Sequence, residues 1–253
     1  MRVFRAPRYI FDSIARCVVR DGNVGLLGDR WVIGLSVGHG LFEEFAGVGS
    51  EVTGTCRVLR TFNVTVNERR VTLIASAAGG LYTERLLGLA YLRGVKYIVG
   101  LGACGALRED LDVCDVVIPI ASVRGENLTD YYVEKSYPAV ADFDMLSIFK
   151  NELEASGLKP RVGLVYTTPS ILTEDPMEMK VLGDKGISCV ECEVSVLYTI
   201  SRLIGIKAVA ILIVSDHVVK EKQLDEVTRE KYRDLQKRIL NIIVNMLSKL
   251  DIQ

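Results

Sequence analysis

Short apolar runs alternate with amphipathic stretches that each close on a glycine, and this alternation constrains the fold more than any other property of the chain. Tyr82–Arg93 closes on Gly94, Asp142–Ser156 on Gly157, Pro176–Lys185 on Gly186, and Val194–Leu203 on Gly205. A glycine just past the last periodic residue is a helix stop, because the left-handed conformation that ends many helices costs glycine little. Between these segments lie Lys96–Leu101, Asp115–Val123, Arg161–Thr168, Ile187–Val190 and Lys207–Val214. They are short, apolar and rich in β-branched residues, as strands are. Val32–Val37 reads as another strand, and Phe62–Val66 and Val71–Ser76 flank Asn67-Glu68 as a hairpin. Leu224–Leu250 carries Ile239, Ile242, Ile243, Met246 and Leu250 at helical spacing. No linker or repeat divides the chain. Residues 1–253 are therefore expected to form one α/β domain around a mostly parallel or mixed sheet flanked by helices.

Composition removes several classes of function. A net charge of −1 gives no electrostatic basis for binding nucleic acid or an anionic membrane. The longest apolar stretches, such as Val209–Val214, are far short of the ~20 residues of a membrane span. Arg2, Arg5 and Arg8 make the N-terminus basic, but no apolar segment and small-residue cleavage site follow, so a cytoplasmic protein is expected. The hydrophobic share of 49% is high enough to supply oligomer interfaces as well as a core. Cys189-Val-Glu-Cys192 spells C-x-x-C without a second cysteine pair or a histidine pair at zinc spacing, so buried free thiols and no metal are expected. His39 and His217 are the only histidines, and no G-x-S-x-G elbow is present to use either in a serine triad.

What remains is a set of carboxylates at element boundaries, where a fold has little structural reason to keep them. Glu191 and Glu193 lie two residues apart, on one face of an extended segment. Asp216 follows the strand-like run Ala208–Val214, and ligands of open α/β sheets gather at the C-terminal ends of strands. Such carboxylates can grip hydroxyls and handle a proton. Gly100-Leu-Gly-Ala-Cys-Gly105 reads as a glycine-rich turn after a strand, structural or ligand-facing. Arg124–Tyr132 reads as a polar loop, either solvated or the rim of a small-molecule pocket.

In their order and spacing, four strings from this region resemble the nucleoside phosphorylase family, which includes hexameric purine nucleoside phosphorylases, uridine phosphorylases and related nucleosidases. They are Gly102-Ala-Cys-Gly-Ala-Leu107, Tyr137-Pro-Ala-Val-Ala-Asp-Phe143, Val190-Glu-Cys-Glu-Val-Ser195 and Val214-Ser-Asp-His217. The resemblance runs from about Val71 to Met246, and the Ser-Asp-His form looks like the purine branch. Thr167–Pro176 lacks the Gln/Arg pair of the uridine branch. The resemblance implies a mixed sheet, partly barrel-like, and cleavage of the bond between ribose and a purine base. It implies Glu193 on the ribose 2′- and 3′-hydroxyls with the Cys192 backbone beside the sugar and Glu191 in support. Asp216, next to Ser215, would protonate the departing base, with Arg229 closing toward it. It also implies a homo-oligomer built from dimers, a hexamer, and no cofactor beyond phosphate as co-substrate.

The phosphate side departs from the family pattern. Its first turn reads Gly38-His-Gly-Leu-Phe42, with Phe42 in place of an arginine; Gly100 replaces a second arginine and Ala103 a serine. Only Arg57 fits an arginine lent by a neighbouring subunit. Each charge-assisted bond lost is worth roughly 1.5–3 kcal/mol. A hydrolytic nucleosidase using Glu43 or Glu44 to activate water is thus the alternative to phosphorolysis, and a binding-only relative a further one.

Overall fold

The computed structural model describes residues 3–19, 27–35, 39–46, 51–56 and 59–250. The N-terminal half comprises α1 (Arg8–Val18), β1 (Arg30–Leu35), α2 (His39–Ala46), β2 (Glu51–Cys56), β3 (Leu59–Val66), β4 (Arg69–Ser76), α3 (Gly80–Arg93) and β5 (Tyr97–Ala106). There follow β6 (Val116–Arg124), β7 (Ala139–Val140), α4 (Phe143–Ala155), β8 (Arg161–Thr167), α5 (Pro176–Asp184) and β9 (Ile187–Glu191). The chain then forms α6 (Val194–Leu203), β10 (Lys207–His217), β11 (Lys222–Gln223) and α7 (Glu226–Lys249).

Among the described residues the strands form one mixed sheet that closes partly on itself. β10 pairs with β5 on one side and β6 on the other, while β6, β8, β9 and β5 follow in turn, which completes a ring. From β5 the sheet continues openly through β1, β4, β3 and β2. This is the expected mixed α/β architecture, including its barrel-like part. Helices cover both the ring and the open wing, and β1, β5 and β10 run through the centre with Val32, Ile33, Val99, Leu101, Ile211 and Leu212 fully buried. Removing such side chains from water contributes about 1.5–3 kcal/mol each. Tyr198 ties the layers together: its hydroxyl donates to the Pro119 carbonyl (2.7 Å) and accepts from the Ala210 amide (2.9 Å), linking α6 to β6 and β10.

Local chemistry explains the boundaries. Gly94, Gly157, Gly186 and Gly205 all have positive φ, from 70° to 92°, where a side chain would be strained. Asp142 and Asp175 cap α4 and α5 through their carboxylates, and Asp225 forms a capping box with Thr228 at the start of α7.

The structure corrects three readings. Gly100–Gly105 is not a turn but the second half of β5. Its glycines are there for close packing: a Cβ at residue 100 would lie 2.6 Å from Leu35 Cδ1, and one at residue 102 would lie 2.7 Å from the Leu35 carbonyl oxygen. β10 runs three residues past Val214, through a register break between Val214 and Asp216. His39 and Gly40 belong to α2 rather than to a turn after β1. α1 and β2 were not anticipated. Gly38 and Arg57 lie outside the described residues, as does the side chain of Glu43.

Candidate active site

Gly105 sits between the two carboxylate strings. It pairs with Val190 of β9 on one flank and with Asp216 of β10 on the other. A Cβ at residue 105 would stand 3.0 Å from an Asp216 carboxylate oxygen, so the glycine leaves the room that this side chain occupies. The extra residue at the β10 irregularity is Ser215, whose hydroxyl donates to Asp216 Oδ1 at 2.7 Å. Bulges of this kind re-aim side chains next to functional sites.

On the other flank, Glu191 is buried and works as a cap. Its Oε2 accepts from the amides of Glu193 (2.6 Å) and Val194 (2.7 Å) at the start of α6. Its Oε1 accepts from the hydroxyl of Thr167, the neighbouring residue on β8. Thr167 Oγ1 also accepts the Ser195 amide at 2.9 Å and lies 2.7 Å from Ser122 Oγ. Ser195 Oγ donates in turn to Glu126 Oε1 at 2.8 Å. Burial, reinforced by the charge of Glu193, pushes the Glu191 carboxyl up to about 8. Burial and the same two glutamates push the Cys192 thiol to about 12, so it remains a thiol and not a nucleophile at neutral pH.

Glu193 is 2% exposed, and its Oε1 accepts the Gly79 amide at 2.5 Å, just before α3. The same glycine-rich entry, Gly79-Gly80, joins Cys192, Glu126, Leu128, Thr168 and Ile171 around a cavity of about 460 Å³. The Gly80 position is tight, since a Cβ there would meet Val196 Cγ2 at 2.8 Å. Backbone, one thiol and aliphatic side chains thus form a mostly apolar cleft with the Glu126 carboxylate in its wall. That composition suits a flat organic group carrying a few hydroxyls.

Several residues anticipated from sequence are not brought to this cleft. Arg229 lies exposed in the first turn of α7, with its guanidinium 3.4 Å from the Leu224 carbonyl oxygen. Glu44 is exposed and pairs with Lys237 of α7. Phe42 is fully buried in the core, and Leu35 and Leu197 fill the space beside Gly100. His217 is buried: its Nε2 is 3.1 Å from the Arg108 carbonyl oxygen, and its Nδ1 accepts from the Lys220 amide. Arg124 holds its loop from within, binding Thr129, Asp130 and the carbonyls of Glu134 and Tyr137. Among the described residues, no three His, Cys, Asp or Glu side chains converge as metal ligands, and no helix is long and apolar enough to cross a membrane.

Three participants escaped the sequence reading. From sequence, Thr167 reads only as a strand end opening the loop Thr167–Pro176, Glu126 only as part of a polar loop, and Glu174 only as part of that same Thr167–Pro176 loop. Glu174 lies between a single 3₁₀ turn (Ile171–Thr173) and Asp175, the cap of α5. Burial and then the charge of Asp216 push its carboxyl up to about 7.

This arrangement has relatives. Residues 39–248 match the phosphorylase superfamily. A DeoD-type purine nucleoside phosphorylase of Yersinia enterocolitica is 32% identical over 174 residues, covering 67% of this chain and 71% of that protein. A DeoD-type enzyme of Vibrio cholerae is 28% identical over 191 residues, with 73% and 80% covered. Among solved structures, a uridine phosphorylase of Vibrio fischeri superposes with a TM-score of 0.82 at 19% identity, covering 92% of this chain and 96% of that one. The chain belongs to the phosphorylase superfamily and is an enzyme of that family.

Proposed function

We propose that this enzyme cleaves the N-glycosidic bond of purine nucleosides, transferring the pentosyl group to phosphate and releasing the free base. The observation that carries the reading is the pair of carboxylate strings on either side of Gly105, with Glu193 bound to the amide of Gly79 in the cavity wall and Asp216 paired with Gly105. The DeoD-type relatives, named as purine nucleoside phosphorylases, support the purine assignment.

In this reading Glu193 accepts hydrogen bonds from the 2′- and 3′-hydroxyls of the sugar. The Gly79 amide fixes one of its oxygens and so orients the other. As the bond to the base stretches, the ring gains oxocarbenium character, and a nearby carboxylate stabilises it more than the ground state. Asp216 passes a proton to the imidazole nitrogen of the purine, and Ser215 holds the carboxyl in line. Arg229 rotates inward from α7 when substrate is bound. The enzyme works as a homo-oligomer of dimers, six subunits in all, in the cytoplasm as part of purine salvage. Exposed Tyr131, Phe143, Leu172 and Met177 offer apolar surface for that assembly, and sedimentation of the purified protein measures its size.

One observation favours a second reading, in which water replaces phosphate. Where the family pattern places an arginine, Gly100 is packed beneath Leu35 and Leu197, and Phe42 is core. Hydrocarbon there leaves a phosphate dianion with few charge-assisted partners. Inosine or adenosine incubated with and without inorganic phosphate separates the two. Base release that requires phosphate supports phosphorolysis, equal release without phosphate supports hydrolysis, and release from uridine alone overturns the purine assignment.

A further inference from the structure

Among the described residues, Glu126 is the one carboxylate in a cavity wall otherwise made of backbone, aliphatic side chains, Thr168 and Cys192. The backbone on either side of it is fixed. The Gly125 amide donates to the Thr167 carbonyl at 3.1 Å, and a Cβ at residue 125 would lie 2.6 Å from that same oxygen. Asn127 has a φ of 58°, a left-handed conformation that asparagine adopts more readily than most residues, and it turns the chain into the 3₁₀ turn Leu128–Tyr131. The carboxylate held between them receives hydroxyls from two different elements at a single oxygen. Glu126 Oε1 accepts from Thr129 Oγ1 of that 3₁₀ turn at 2.5 Å, and from Ser195 Oγ in the first turn of α6 at 2.8 Å. Its Oε2 is enclosed and has no hydrogen-bond partner among the described residues.

A carboxylate with one oxygen buried and unanswered costs stability, and an apolar side chain would fill a merely structural wall more favourably. The loop also has other ties. Arg124 binds Thr129 and Asp130 from within, and the Tyr132 hydroxyl donates to Glu84 of α3. What Glu126 adds is a link between the two walls. Leu128, in the wall, belongs to the 3₁₀ turn, whereas Cys192, also in the wall, leads into α6. Ser195 lies two residues past Glu193, whose Oε1 accepts the Gly79 amide. Glu191 of β9 and Thr167 of β8 hold the amides of Glu193, Val194 and Ser195 from the sheet. Glu126 holds the same turn from the rim loop.

We propose that Glu126 is a positioning residue for sugar recognition: it ties the rim loop to the first turn of α6 and so sets Glu193, and the cavity width at Cys192, for the ribose hydroxyls. The inference rests on the nucleoside reading set out above and adds a residue to it. Hydrogen bonds to a pair of hydroxyls are directional, and a misplacement of about 1 Å can cost on the order of 10²-fold. The effect is confined to the sugar, because Asp216 and Ser215 bond to each other on β10 and neither belongs to this chain of bonds.

Calorimetry on the full chain tests the link by comparing inosine with hypoxanthine, the same base without its sugar. In Glu126→Ala, inosine should bind roughly tenfold more weakly or worse, while hypoxanthine stays within about twofold of the wild type. Glu126→Gln should return inosine to within about threefold, since the amide carbonyl can still accept both hydroxyls. Ser195→Ala cuts the link from the α6 side and leaves the loop whole. It should reproduce the loss for inosine alone, and it decides the matter if Glu126→Ala does not fold.

Parallel losses for inosine and hypoxanthine would mark a merely structural residue and overturn the proposal. So would inosine affinity that is unchanged when the link is cut from either side. A wild type that binds neither compound overturns the nucleoside reading and this role with it. Losses confined to inosine, in a protein that binds nucleoside but releases no base, would sink the cleavage reading and leave the positioning role standing.

Discussion

In the proposed reading, the sugar-and-base side of the site and the side from which an attacking group must arrive are built from opposite materials. Around the start of α6, Glu191, Thr167, Ser122, Ser195 and Glu126 form a continuous chain of hydrogen bonds. Around Gly100, the neighbours are Leu35 and Leu197, and Phe42 is part of the core. The first region is held by directed bonds, so it is damaged by taking a group away. The second is close-packed, so it is damaged by adding one. Relatives can therefore keep one half of a site while the other half changes, since different physical terms hold each half in place.

The largest effect should come from the polar side. Asp216→Asn is expected to lower kcat for purine release by about 10²–10⁴-fold while nucleoside binding, measured by calorimetry, is largely kept. Near-normal turnover would remove Asp216 as the proton donor. Glu193→Gln should cost less, roughly 10–100-fold in kcat/KM, as expected for weakening a hydrogen bond to a charged group. An unchanged value would take Glu193 off the sugar.

An addition tests the packed side. Gly102→Ala places a methyl group 2.7 Å from the Leu35 carbonyl oxygen. Overpacking of this type costs about 1–3 kcal/mol and should appear as a lower Tm by calorimetry. A Tm equal to the wild type would show that β5 has slack at this point.

A subtler difference should appear in the pH dependence of stability. The Glu191 carboxyl is raised from 4.5 to about 8 in the folded protein. A raised value means that its neutral form favours folding: the contribution is complete below about 4.5 and is lost as pH rises through about 8. Glu191→Gln should therefore gain stability relative to the wild type between pH 5 and pH 9 in urea titrations. A constant difference across that range would show that the cap amides offset the cost of ionisation. The smallest effect belongs outside both regions. Glu44 and Lys237 form an exposed ion pair at 2.6 Å, worth about 0–1 kcal/mol, so Glu44→Gln should leave turnover alone. A large loss would bring Glu44 back as a base for water.

Elements whose ends are set by backbone conformation were legible from residue type. Four glycine helix stops carry positive φ, and Asn67 and Glu68 form the expected turn with φ of 49° and 61°. Glycines whose purpose is space misled, because Gly100 and Gly102 answer to Leu35, more than sixty positions away, and nothing nearby announces that contact. The same distinction divides the site. Glu191, Glu193 and Asp216 were visible as charges at strand ends, whereas Thr167 and Glu174 matter through which neighbours the fold gives them. A partial signal for Glu174 was present: Asp175-Pro176 is a strong helix start, and it fixes the residue just before it.

The ring of strands has a consequence for how the protein is made. β10 is the member that joins β5 to β6, and its partners are synthesised about a hundred residues earlier. During synthesis at roughly 5–20 residues per second, those strands wait on the order of ten seconds with edges open. Unpaired edges are templates for association with other chains, so this interval is when the growing protein most needs shielding. In the proposed reading β10 also carries the proton donor, so a chain that stops before Asp216 holds Glu191 and Glu193 without that acid and should release no base.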